Sequence, residues 1–335
     1  MSAPIPVVIC DDSPLARKQM IRALSPWNLD ITQVSHGLEA LEAVRAGKGH
    51  LLFLDLNMPI MDGYQCLERI RSQDLPGLVV VVSGDIQEEA RKRVMALGAI
   101  GFIRKPINTQ NLHDALAAYG ILNELEELPE ETETRPANLS GETLALQDYY
   151  QELSNVAMGQ AAEKLARLQG AFIEIPVPRV RLIDGEEIAE MLDDLRIDSR
   201  RTETLCQGFL GPGIAGEAIL TFDRHSLEDM SRLMQVNEEP TPSLRREMLM
   251  SVANVLISAY LVSLGDQLDV RFSQSPPVIL GTHYHMPSAA HLKEVRTSLS
   301  IEVGYRLEGY DISSKLLLLF TEDSLQTLNE RTRYL

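Results

Sequence analysis

From Ile5 the chain alternates short apolar runs with amphipathic stretches. Ile5–Cys10 reads as a strand and Pro14–Leu24 as a helix capped by Ser13. Ile31–Val34, His50–Leu54, Leu78–Val82 and Ala99–Arg104 are further strands; Gly37–Ala46, Gly63–Ser72, Gln87–Leu97 and Thr109–Tyr119 are the helices between and after them. Leu78–Val82 is apolar throughout, so both of its faces must be covered. Strands and helices in this alternation predict a doubly wound, five-stranded parallel sheet, whose ligand binds at the carboxyl ends of the strands.

Beyond residue 142 the period lengthens. Thr143–Gln169 predicts a long helix, with Leu153, Val156, Ala157, Ala161, Leu165 and Leu168 on a buried stripe. Glu152 and Asn155, three residues apart, share a neighbouring stripe and are expected to point out of the fold. A strand at Ala171–Ile183 follows, then a hairpin, Glu203–Leu210 and Ile214–Phe222, turned by Gly211-Pro212-Gly213, then a helix at Ser226–Gln235. The second half repeats this order: a helix at Leu244–Leu264, a strand at Leu268–Leu280, a pair at Val295–Leu307 and Lys315–Phe320, and a helix from Ser324. Asn155 and Asn254 are 99 residues apart, as are Pro178 and Pro277, and FDRHSL at Phe222 returns as FTEDSL at Phe320. Such spacing predicts a duplication, about residues 143–236 and 243–335, forming an α+β domain with one shared sheet and the two long helices side by side on it.

Between the two regions, residues 123–142 are acidic, proline-containing and poor in apolar residues, which predicts a solvated linker spanning about 25 Å. Its start, LNELEEL, equally suits an extension of the preceding helix. The domain boundaries expected are therefore 1–122, 123–142 and 143–335.

A net charge of −17 with no basic cluster argues against nucleic-acid binding. Cys10, Cys66 and Cys206 are far apart, which fits reduced core thiols in a cytoplasmic protein and neither a disulfide framework nor a zinc spacing. No apolar run approaches the roughly 18 residues of a membrane helix, so no membrane association is expected. His283 and His285 flank Tyr284 without a third ligand in evidence, and the glycines of Gly208–Gly216 suit a hairpin better than a phosphate loop.

The polar residues at the ends of the first five strands form a set. Asp11 and Asp12 follow the first, Asp55 the third, Ser83 the fourth and Lys105 the fifth. Three converging carboxylates repel one another unless a hard divalent cation lies among them, and oxygen donors with open positions suit Mg2+.

Residues 5–120 resemble a two-component response-regulator receiver (CheY-like), on DD at Asp11–Asp12, DLNMPIMDG at Asp55–Gly63, SG at Ser83–Gly84 and KP at Lys105–Pro106. The resemblance implies that Asp55 is the phosphoryl acceptor. It implies that Asp12, Asp55 and the Asn57 carbonyl hold Mg2+, with Asp11 reaching it through water, and that Ser83 and Lys105 bind phosphoryl oxygens. Phe102 stands at the family's aromatic switch position without a hydroxyl. In the second region Asp148, Glu152, Asn155 and Pro178 form D-x3-E-x2-N-x22-P, which resembles the CheC/CheX/FliY family of phosphatases acting on the chemotaxis regulator CheY. By that resemblance Glu152 pairs with a receiver's lysine and Asn155 orients the attacking water. The second copy keeps Asn254 but has Ser251 where the glutamate belongs, so Asn254 marks only a degenerate site.

The expectation is an aspartyl-phosphate phosphatase acting on a CheY-like response regulator and modulated by phosphorylation of its own Asp55. Two alternatives stand beside it: dephosphorylation of its own receiver, within the chain or across a homodimer, and a non-catalytic docking module. The partners implied are a cognate histidine kinase, the phosphorylated regulator and a CheD-like deamidase.

Overall fold

The structure is a computed structural model and describes residues 3–125, 146–197, 202–233, 241–280 and 295–332. The chain divides into two compact units, Met1–Glu152 and Leu153–Leu335.

The first unit runs β1 (Ile5–Cys10), α1 (Pro14–Ala23), β2 (Leu29–Val34), α2 (Gly37–Arg45), β3 (Leu51–Leu54), α3 (Gly63–Ser72), β4 (Leu78–Ser83), α4 (Glu88–Ala96), β5 (Gly101–Arg104) and α5 (Thr109–Ala118). The sheet order is β2-β1-β3-β4-β5, and every neighbouring pair is parallel. Because side chains alternate across a strand, the sheet builds two cores. Val8, Leu52, Leu54, Val79 and Val81 pack with Leu41, Leu67 and Val94 of α2, α3 and α4. Val7, Ile9, Leu51, Phe53, Val80 and Val82 pack on the other face with Met20, Leu112 and Leu116 of α1 and α5. The expected doubly wound sheet is present. Ser13 caps α1 as expected, accepting from the Ala16 N–H at 3.1 Å, while Asp62 and Asn108 cap α3 and α5 in the same way. The order of strands reverses at β1, between β2 and β3, so the crevice at their carboxyl ends is where such a sheet binds its ligand. After α5, Gly120 turns the chain with φ +74°, and only a short 3-10 turn, Ile121–Glu124, follows, so α5 does not extend. Residues 126–142 of the expected linker lie outside the described residues, as do His283 and His285.

Helix α6 (Leu146–Gln169) begins in the first unit and continues into the second. The second unit goes on with β6 (Ile173–Glu174), β7 (Arg179–Ile183), α7 (Gly185–Ile197), β8 (Thr202–Gly211), β9 (Ile214–Asp223), α8 (Ser226–Leu233), α9 (Pro242–Leu268), β10 (Ser273–Gln274), β11 (Val278–Ile279), β12 (Ser298–Leu307), β13 (Ile312–Phe320) and α10 (Ser324–Thr332). Its eight strands form one antiparallel sheet along the path β10-β8-β9-β13-β12-β6, with β11 also on β8 and β7 also on β12. The β8–β9 and β12–β13 hairpins meet at β9–β13. Each hairpin takes its outer partners from the other half: β6 and β7 edge β12, and β10 and β11 edge β8. Pro212 and Gly213 turn the first hairpin, Gly213 with φ +71°.

Several expectations need correction. The strand expected over 171–183 is two short ones, because Pro176 and Pro178 have no N–H for the ladder. The strand expected over 268–280 shrinks to β10 and β11 for the same reason at Pro276 and Pro277, while α9 runs on to Leu268. Helix α7 was not anticipated. Its signal is a capping box: Asp184 accepts from the N–H groups of Glu186 and Glu187 at 3.0 Å, and Glu187 accepts from that of Asp184 at 3.1 Å. Its Ile188 and Leu192 pack on Ile183, Ile219 and Leu317.

The expectation that no stretch is apolar enough for a membrane also fails. By length and composition α9 passes that test, with a mean hydropathy of 1.8 in its most apolar window. It serves here as a core helix, with Met248, Ala253, Ile257, Tyr260, Leu261 and Leu264 buried. Beside it lies α6, joined by Ser154–Tyr260 at 2.7 Å and Lys164–Ser263 at 3.1 Å.

Gly63 lies where α3 starts, packed on the backbone just after β3. A Cβ there would sit 2.3 Å from the Asp55 carbonyl oxygen and 2.8 Å from Leu56 Cα. Gly63→Ala is expected to lower the stability of the first unit by about 1–3 kcal/mol, read as a drop in its thermal midpoint. An unchanged midpoint would contradict this packing.

Candidate functional site

Asp11, Asp12 and Asp55 come together at the ends of β1 and β3, and one carboxylate oxygen from each lies within 4.8 Å of the others. Into this cluster β5 delivers Lys105. Its Nζ is 2.7 Å from Asp11 Oδ2 and 3.4 Å from Asp55 Oδ1. Local bonds hold the acids in place. The Ser13 N–H donates to Asp11 Oδ1 at 2.9 Å, the Asn57 N–H to Asp55 Oδ2 at 3.1 Å, and Arg17 donates to the Asp11 carbonyl at 2.7 Å. The Lys105 N–H bonds the Ser83 carbonyl at 3.0 Å, which ties the ends of β4 and β5. Ser83 is buried, and its Oγ accepts from the Asp85 N–H at 3.1 Å.

A fourth carboxylate joins from the end of the same unit. Glu152 Oε1 lies 3.6 Å from Lys105 Nζ. The outward orientation expected for the Glu152–Asn155 stripe is therefore corrected: Glu152 is 6% exposed and Asn155 5%. Helical periodicity gives the angle between two side chains but cannot say what stands beyond them. Glu152 Oε2 and both amide atoms of Asn155 are buried without a hydrogen-bond partner. Buried polar groups are seldom left so. The apolar stripe behaves as expected at Leu153, Val156, Ala157, Ala161 and Leu165, all buried.

Electrostatics follow from burial. Desolvation raises the Asp55 carboxyl well above its ordinary range; Lys105 opposes this, and Asp11, Asp12 and Glu152 add to it. Asp12 is pushed up to about 7, by burial first and then by Asp11. Burial and Asp11 also raise Glu152, while Lys105 and a hydrogen bond from Ser13 pull it down. For Lys105 burial acts the other way, but Asp11, Asp55 and Glu152 outweigh it, and the ammonium is held well above its usual range. Three carboxylates, Asp11, Asp55 and Glu152, thus face one buried cation, with Asp12 beside them. The donors near Asp12 are all oxygen, and Asp12 Oδ1 is buried without a partner. This set fits a hard divalent cation.

The remaining candidates lie elsewhere. Phe102 is half-buried on β5 against the α2–α4 core. Its backbone N–H and carbonyl are both bonded by the Tyr119 hydroxyl at 3.0 Å, a clip that sequence reasoning missed and that no sequence pattern announces. Asn254 is exposed on α9 and accepts from Gln207 Nε2 at 3.4 Å; Ser251, where a glutamate would stand, is exposed too. Ser13 was legible only as a cap, and its influence on Glu152 depends on tertiary placement.

Comparison with known proteins agrees with the first unit. Residues 7–117 match the response regulator receiver domain family, so this stretch is a receiver domain. A protein-glutamate methylesterase/protein-glutamine glutaminase of Rhodopseudomonas palustris is 40% identical over 111 residues, 32% of this chain and 30% of that protein. The nitrate/nitrite response regulator protein NarL of Escherichia coli is 31% identical over 128 residues, 36% of this chain and 59% of NarL. The chain thus spans under two thirds of either relative. Among solved structures, Thermotoga maritima FliY aligns over 58% of this chain and 98% of its own, at 21% identity and a TM-score of 0.44.

Since the folded pKa of Asp12 lies above that of a free carboxyl (about 4), protonation favours the folded metal-free unit, and on this account its stability falls as pH rises through about 7. Protons and Mg2+ then compete for the site. Calorimetry should find the apparent Mg2+ affinity rising from pH 5 to pH 8 and levelling above, with proton release at the lower pH. Asp12→Asn should weaken binding and flatten the slope; an unchanged slope would show that Asp12 is not the titrating group.

Proposed function

We propose that this chain hydrolyses an aspartyl phosphate, and that the phosphate is the one carried by its own receiver at Asp55. The observation that supports this reading is the buried approach of Glu152 to Lys105, 3.6 Å, with the unpartnered Asn155 amide one helical turn further along α6. Asp55 takes the phosphoryl group, with a histidine kinase as the donor. Lys105 and Ser83 receive its oxygens. Asp11, Asp12, Asp55 and the Asn57 carbonyl would hold Mg2+, which when bound supplies positive charge for the equatorial phosphoryl oxygens. Glu152 grips the Lys105 ammonium and seats the helix. The Asn155 carboxamide both donates and accepts, so it can hold a water in line with the scissile bond. Water oxygen bonds to phosphorus, the bond from phosphorus to the Asp55 oxygen breaks, and Asp55 leaves as a carboxylate. The water's proton passes to the departing phosphate and solvent. An aspartyl phosphate is already activated, so no histidine or cysteine is required.

The reading in which a separate CheY-like regulator is the substrate rests on the D-x3-E-x2-N-x22-P motif, which serves either receiver. Proximity of Glu152 to the chain's own Lys105 favours the internal one. A homodimer exchanging the same residues performs the same chemistry, and a CheD-like partner remains an inference from the resemblance. The duplication of residues 143–335 is likewise part of this proposal. It is supported by the contact of Lys164 with Ser263, 99 residues apart, the spacing that separates the two asparagines.

In the full chain loaded from acetyl phosphate, Asn155→Ala is expected to slow loss of the Asp55 phosphate by about tenfold or more. The wild-type rate should not depend on protein concentration. Decay of Asn155→Ala at the wild-type rate would end the proposal. Acceleration on adding unphosphorylated Asp55→Asn chain to phosphorylated Asn155→Ala chain would instead assign the activity to action between molecules.

A further inference from the structure

Asn155 has to present its amide to within a fraction of an ångström, yet no hydrogen bond of its own fixes it. Its neighbours Leu153, Val156, Ala157 and Met158 are apolar and fully or nearly buried. Apolar packing fills space but is poorly directional, so it tolerates small rotations and slides of a helix. Between Glu152 and Asn155 lies Ser154, which leaves α6 in a different direction. Its hydroxyl is 2.7 Å from the Tyr260 hydroxyl of α9. Both residues are fully buried. Among the described residues from Leu153 to Met158, this is the side-chain hydrogen bond the structure contains. Burial raises the Tyr260 phenol above its usual range, which favours the protonated form. The bond is therefore directional and shielded from solvent. Further along the same pair of helices, Lys164 reaches Ser263 at 3.1 Å and adds a second tie.

We propose that Tyr260 is a positioning residue for the reaction, setting the rotation and height of the α6 turn that carries Glu152 and Asn155 through its bond to Ser154. This rests on the reading of Asn155 given above. It assigns α9 the work of a strut for the intact motif, although its own motif lacks the glutamate.

The test measures loss of Asp55 phosphate in the full chain for Tyr260→Phe, Ser154→Ala, their combination, and Tyr260→Phe combined with Asn155→Ala. Tyr260→Phe keeps the ring and removes only the hydroxyl. It should slow decay by about tenfold with an unchanged yield of Asp55 phosphorylation, and Ser154→Ala should do the same. The combination should be no slower than either alone, and Tyr260→Phe should have no further effect once Asn155 is alanine. Wild-type decay in Tyr260→Phe and Ser154→Ala, with Asn155→Ala slow, overturns the positioning role and leaves the proposed function standing. Additive losses with Asn155→Ala also overturn it, because they mean general loosening. Wild-type decay in Asn155→Ala removes the proposed function itself. Should Tyr260→Phe fail to fold, Ser154→Ala alone decides by the same criteria.

Discussion

A single ammonium group, buried among carboxylates, organises the first unit. Taking a lysine out of water is strongly unfavourable unless partners replace its hydration. Lys105 finds them in Asp11, Asp55 and Glu152. These come from the ends of β1 and β3 and from α6, so the register of the parallel sheet is what allows the ion to be buried. The acids in turn are held within their own loops by the backbone N–H groups of Ser13 and Asn57, and the Lys105 ammonium links the ends of β1, β3 and β5. The excess of negative charge that remains is the property that makes the crevice a place for a divalent cation and a phosphoryl group.

The second unit solves a different problem. An eight-stranded antiparallel sheet built from two hairpins has edges, and each hairpin covers its edge with short strands from the other half of the unit. The result cannot be assembled from either half alone. It also sets α6 and α9 side by side, where hydroxyl and ammonium groups tie them. The helix that carries the Glu152–Asn155 stripe is thus tied to α9 at two points.

Much of this was legible from local rules. Alternating apolar runs and amphipathic stretches gave the five strands and five helices of the receiver, because a parallel strand covered on both faces must be apolar throughout. The acids at strand ends stood out for the same reason: polar residues there interrupt otherwise apolar text. Ser13 declared the start of α1. The second unit was harder. Pro176, Pro178, Pro276 and Pro277 divide what hydrophobicity alone reads as long strands, and the Asp184–Glu187 capping box that starts α7 was hidden in a run of acids. In α9 an apolar composition pointed to no particular surroundings, since core and membrane select the same residues.

What the amino-acid sequence determined by itself is the chemistry on offer: a cluster of acids with a lysine, a glutamate and an asparagine one turn apart, and an order of elements that admits few folds. Helical spacing placed Glu152 and Asn155 on one stripe because that follows from covalent geometry. Only the tertiary structure decided that the stripe is buried, that Glu152 meets Lys105, that Ser154 meets Tyr260, and that the two hairpins trade their edge strands. Those pairs are separated by 47, 106 and more residues, and no local rule links them. They form because burying a charge or a hydroxyl is tolerable only beside its partner, and the partner's place is a property of the whole fold.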